Sequence, residues 1–122
     1  MGRDFFEQFV AEALDALPEQ FQQALENVDV VVEDWPDAET LRRVGLRHRS
    51  QLLGLYHGIP LTQRNQGYNL VLPDKISIYR QPIMMRCRNW EEVLAMVHRV
   101  LRHEVGHYFG LSDERLLEIG AY

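Results

Sequence analysis

The eleven residues His103-Glu104-Val105-Gly106-His107-Tyr108-Phe109-Gly110-Leu111-Ser112-Asp113 constrain this chain more than any other stretch. They read H-E-x-x-H-x-x-G-x-x-D. On a helix, His103 and His107 leave the same face one turn apart, so both imidazoles can reach one ion. Zinc–nitrogen bonds of ~2.0–2.1 Å suit that spacing. Glu104, beside the first histidine, is placed to act on a water held by the ion rather than to bind the ion itself. Gly110 can adopt positive φ and end the helix, and the chain can then turn back to bring Asp113 in as a third ligand. Three protein ligands and one open position describe a catalytic zinc site rather than a structural one.

From this chain's own five His and eleven Glu, about 0.02 copies of H-E-x-x-H are expected at random, so the longer string is more than a bare motif match. The competing reading is a helix with two solvated histidines, stopped by Gly110, with Asp113 opening the next helix. The third ligand is the most open of the assignments. Asp113 also suits a helix N-cap, and in that case Glu114 or Glu118, one to two turns further on, could bind the metal.

The same region resembles the Asp-zincin signature, in which two His and the Asp hold zinc and the Glu is the general base. A wider stretch resembles the minimal zincins, small bacterial proteins of zinc-metallopeptidase type. Three segments carry the resemblance: Leu53-Gly54-Leu55-Tyr56-His57-Gly58-Ile59-Pro60-Leu61-Thr62, then Leu72-Pro73-Asp74-Lys75-Ile76-Ser77-Ile78-Tyr79-Arg80, then His103 to Leu117. The resemblance implies a zincin-like α+β fold with a zinc site at His103, His107 and Asp113. A small mixed sheet of about three to four strands would pack on a long metal-binding helix and several shorter ones. It does not by itself imply peptide cleavage.

A length of 122 residues suits one domain, here residues 1–122. No apolar run approaches the ~18–20 residues of a membrane span. Met1–Glu7 holds acids where a secretion signal needs an apolar run, so the expected location is cytoplasmic. A net charge of −5 argues against a general nucleic-acid binder. The expected partner is a peptide or small protein substrate, met by a monomer, with no nucleic acid and no membrane. Basic residues concentrate at Arg42, Arg43, Arg47 and Arg49, a patch read as solvated or paired with the acidic first forty residues. The single cysteine, Cys87, permits no intrachain disulfide. Flanking arginines favour its thiolate if exposed, and a small buried side chain is the plainer reading.

Along the chain, Phe5, Phe6, Phe9, Val10, Ala13, Leu14 and Leu17 recur at helical spacing over residues 3–16. Pro18 breaks that helix and can open a second, at about 18–26. Val28–Glu33 reads as a buried strand. Asp37 or Thr40 can cap a short helix ending near Val44. Leu52–Tyr56 is a second strand candidate, followed by a turn at His57–Pro60. Lys75–Arg80 alternates cleanly and is expected to be the edge strand against which a substrate lies extended, with Ile78, Tyr79 and Arg80 in contact with it. Asn89 with Glu92 marks the start of the metal helix near Trp90, ending at Phe109. Its apolar face is Val93, Met96, Val97, Val100 and Leu101, with His103, Glu104 and His107 within or beside it. His98 lies ~140–180° away and is excluded as a ligand. A last helix is expected over about 113–119.

The expected chemistry is amide hydrolysis by zinc-activated water with Glu104 as base. Tyr79, Arg80, Tyr108 and Tyr122 are the candidates for stabilising the oxyanion. Two features depart from better-known zincins. No methionine follows Asp113 to make a Met-turn, and only nine residues remain to build a lower wall, so the cleft should be shallow and activity weak or narrow. The alternative is a zincin-fold zinc binder without hydrolytic work, serving as a regulatory or peptide-binding module.

Overall fold

In the computed structural model, residues 3–58 and 74–110 are described. The elements run α1 (Arg3–Asp15), α2 (Glu19–Ala24), β1 (Val28–Glu33), α3 (Ala38–Val44), β2 (Gly54–His57), β3 (Asp74–Tyr79), α4 (Arg80–Met84) and α5 (Trp90–Tyr108). A 3-10 turn, Arg49–Gln51, leads into β2.

The expected α+β architecture is present. Among the described residues the sheet has three strands in the order β1-β3-β2, with β1 parallel and β2 antiparallel to β3. This corrects the expectation for residues 75–80. They form the central strand, with ladder partners on both sides, and cannot offer an open edge to a substrate. Ile78 and Tyr79 are 0% and 1% exposed. Arg80 has left the strand and opens α4, where its Nε donates to Asp34 Oδ1 at 2.8 Å. The alternation is that of a strand buried on both faces, because Ser77 and Tyr79 are covered as fully as Ile76 and Ile78.

One face of the sheet meets the helices. Register places Val28, Val30 and Val32 beside Asp74, Ile76 and Ile78, and Gly54 and Tyr56 beside Ile78 and Ile76. Burying an aliphatic side chain contributes roughly 1.5–3 kcal/mol, and this face stacks its aliphatic residues on Phe6, Val10, Val97 and Leu101. The aromatic stripe of α1 reaches the start of α5, where Phe5 and Phe9 pack on Trp90 at centroid distances of 6.3 and 5.8 Å.

Helix limits follow local chemistry. Asp37 caps α3, accepting from the Thr40 N–H at 2.7 Å. Asn89 caps α5, accepting from the Glu92 N–H at 2.9 Å. Glu92 does not return to the Asn89 N–H as a full capping box would. Its Oε1 accepts from the Arg88 N–H instead. Helix α4, absent from the sequence reading, tolerates Pro82 because a first-turn N–H has no partner within its helix anyway. Arg42, Arg43, Arg47 and Arg49 are exposed and form no ion pair among the described residues. Arg49 lies over the Trp35 ring at 3.8 Å. No described helix is long and apolar enough to cross a membrane.

Candidate metal centre

Helix α5 carries the motif in its last two turns. His103 and His107 stand one turn apart with ring centroids 4.4 Å from each other. Among the described residues they form, with Glu104, a group whose ligand atoms all lie within 4.8 Å of one another. Glu104 is the most buried of the three, its side chain 7% exposed against 22% for His103 and 33% for His107. Its Oε1 lies 3.4 Å from His107 Nδ1 and its Oε2 3.9 Å from His103 Nε2. Two imidazoles one helical turn apart in a partly shielded place are donors of zinc type, and a carboxylate beside them suits a water on the ion, so the residues present fit zinc.

Gly110 ends this arrangement as its sequence position implied. It has φ +78°, the left-handed region that glycine enters without steric cost, and its N–H donates to the His107 carbonyl at 2.9 Å. Asp113, Glu114, Glu118, Tyr122 and the expected helix over 113–119 lie outside the described residues. His98 is half-buried and belongs to no metal-type group among the described residues.

Strand β2 positions the glutamate of the motif, a role that sequence reasoning missed. The Tyr56 N–H donates to Glu104 Oε1 at 2.9 Å. One turn further along α5, Tyr108 packs edge-on against the Tyr56 ring at 5.7 Å. Gly54 lets strand and helix approach this closely. A Cβ there would lie 2.6 Å from Val100 Cγ1, 3.1 Å from the Ser77 carbonyl oxygen and 3.4 Å from Glu104 Cγ. A glycine inside a strand pattern is a known sign of close backbone approach, so that signal was available. The Tyr56 contact runs through its backbone and leaves no trace in side-chain identity.

Of the expected oxyanion and substrate residues that are described, Tyr79 and Arg80 stand apart from the histidine pair. Tyr79 lies on the opposite face of the sheet, and burial pushes its phenol up to about 12. Arg80 is held by Asp34. Among the described candidates, Tyr108, itself 5% exposed, packs on the site's supporting residue Tyr56. That opposite face carries a polar chain of its own. His57 Nε2 lies 3.1 Å from Ser77 Oγ, and Ser77 Oγ donates to Glu33 Oε2 at 2.6 Å. The serine proton is committed to Glu33, so His57 Nε2–H is the donor in the first bond.

A cleft of about 430 Å³ opens beside His103 and Glu104. Its described lining includes Leu52, Gly54, Arg86, Arg99, His103 and Glu104.

A helix bearing H-E-x-x-H, packed under a strand that holds the motif's glutamate, defines a zincin-type scaffold. The family model for zincin-like metallopeptidases matches residues 25–121, and the chain belongs to that family. Among solved structures it is similar to a conserved hypothetical protein from T. thermophilus. Their identity is 22%, the TM-score is 0.57, and the match covers 89% of this chain and 94% of that one. At that identity the likeness speaks for the fold alone. No curated protein sequence matches the chain.

Proposed function

We propose that this chain is a zinc-dependent metallopeptidase acting on peptides or small flexible proteins. His103 and His107 hold the ion, and Asp113 is the third ligand. Zinc bound there supplies Lewis acidity and brings the pKa of a water toward ~7. Glu104 takes the proton of the attacking water and delivers it to the leaving amine. Its Oε1 is committed to the Tyr56 N–H, so Oε2 is the oxygen that moves the proton. The carrying observation is the convergence of both histidines on the buried Glu104 in a chain of this family.

The test is zinc content and hydrolysis of a mixed peptide library in wild type, His103→Ala and Glu104→Gln. About one zinc per chain is expected in wild type and in Glu104→Gln and none in His103→Ala, with hydrolysis confined to wild type. General-base removal should lower the rate by roughly 10²–10⁴.

A second reading is a zinc-binding module that does not hydrolyse, in which the Tyr56 N–H bond to Glu104 serves only to tie α5 to β2. On that reading Glu104→Gln changes neither zinc content nor any peptide-dependent signal.

A further inference from the structure

The cleft beside the histidine pair is lined by His103, Glu104, Leu52–Gly54, Arg86 and Arg99. Arg86 is anchored in a particular way. Its Nη1 donates to the Ser50 carbonyl at 2.8 Å and to the Pro82 carbonyl at 2.9 Å. Ser50 belongs to the 3-10 turn before β2 and Pro82 to α4, so two separate elements fix one nitrogen and with it the guanidinium. Both of Arg86's hydrogen bonds among the described residues use Nη1. The Nε–Nη2 edge is the side of a guanidinium that pairs bidentately with a carboxylate. Arg99 lines the same cleft one helical turn before His103. The described lining thus carries two arginines and a single carboxylate, Glu104, one oxygen of which is already engaged by Tyr56.

We propose that the part of the cleft lined by Arg86 is a carboxylate subsite, with Arg86 its specificity-determining residue. The preferred peptide carries a free C-terminal carboxylate or an Asp or Glu side chain near the bond to be cut, on the side that lies toward Leu52–Gly54. The inference rests on the reading of the metal centre as a peptide-binding one. A carboxamide offers the fork an acceptor without charge, whereas a carboxylate offers two oxygens and a full charge.

The experiment measures binding on the full chain carrying Glu104→Gln, so that no peptide is consumed. Fluorescent peptides are compared in pairs that differ only in a C-terminal carboxylate against carboxamide, or in Glu against Gln. Each pair is measured with zinc supplied and after chelation. The charged member of one pair should bind about tenfold more tightly, and which pair shows the gap separates terminus from side chain. The gap should survive chelation and close when Arg86→Gln is added. Equal binding within both pairs overturns the proposal. So does a gap lost on chelation, which would put the carboxylate on the metal, or one that persists in Arg86→Gln. The comparison of ligands needs no Arg86 variant, so it decides even if that substitution unfolds the chain. Hydrolysis is scored separately. Discrimination without cleavage leaves the subsite and removes the peptidase reading. Cleavage of charged and neutral peptides alike does the opposite.

Discussion

The Tyr56 N–H and Glu104 Oε1 meet at 2.9 Å although 48 residues separate them in the chain. The Tyr79 N–H donates to the Leu53 carbonyl, and residues on a strand alternate sides, so Leu53 and Leu55 face β3 while Tyr56 turns its N–H away from it. The carboxylate takes the acceptor place that another strand's carbonyl would fill. The glutamate of the motif therefore also ties α5 to the sheet.

The two roles separate by substitution. Glu104→Gln retains an oxygen for the Tyr56 N–H and should cost little stability. Glu104→Ala leaves that half-buried donor without its acceptor and should cost about 1–3 kcal/mol. Urea denaturation of the two variants beside wild type checks this. Equal losses would mean that the hydrogen bond contributes nothing to the fold.

Gly54→Ala should push β2 away from α5. Its Cβ would fall 2.6 Å from Val100 Cγ1 and 3.1 Å from the Ser77 carbonyl oxygen, and the second is backbone with little room to move. Overpacking of this kind costs about 1–3 kcal/mol. Adding Val100→Ala relieves only the first contact, so the double variant should recover part of the loss. Full recovery would show that the backbone contact is harmless.

Most of the fold could be read from pattern, because strong periodicity and strong caps agreed with the packing that resulted. Val28–Glu33, the Asp37 cap and the Asn89 start of α5 stand where the sequence placed them. Strand order could not be read. Nothing in Lys75–Arg80 distinguishes a central strand from an edge strand, since Ser77 and Tyr79 are polar enough to face water, and partners contributed by distant residues bury them. The closeness of His103 and His107 was legible because a helix converts a spacing of four into proximity. The support from Tyr56 was not, since a backbone N–H is common to every residue but proline.

His57 supplies a pH test on the opposite face of the sheet. Burial holds its imidazole below the ordinary value of 6.5, helped by the positive charges of Lys75 and Arg43 and opposed by Glu33 and Asp37. The folded chain therefore takes up this proton less readily than the unfolded chain. The stabilising effect is fully present above pH 6.5 and falls as pH drops from 6.5 through the lower folded-state value. Wild type should lose stability relative to His57→Gln over that window and not above it. Thermal melts of both proteins between pH 5 and 8 provide the comparison, and parallel curves would refute the assignment.

Cys87 should react slowly. Burial raises its thiol pKa, with Glu92 adding to the rise and Arg86 opposing it, so the flanking arginines do not yield a thiolate at neutral pH. Labelling by a thiol reagent at pH 7 should be slower in the native chain than in urea. A native rate equal to or above the unfolded rate would show an activated cysteine instead.

Zinc should raise the unfolding midpoint, because its donors come together only when α5 is formed and packed. His103 and His107 sit on consecutive turns, and Glu104 beside them is fixed by β2, so the unfolded chain has no equivalent arrangement. An ion that binds the folded state alone stabilises it by about 2.7 kcal/mol at a hundredfold excess over its dissociation constant. Calorimetry with zinc and with chelator should show that shift in wild type and its loss in His103→Ala and in His107→Ala. Asp113→Ala should reduce it while Glu114→Ala and Glu118→Ala leave it intact, and the reverse order would move the third ligand to the glutamate that matters.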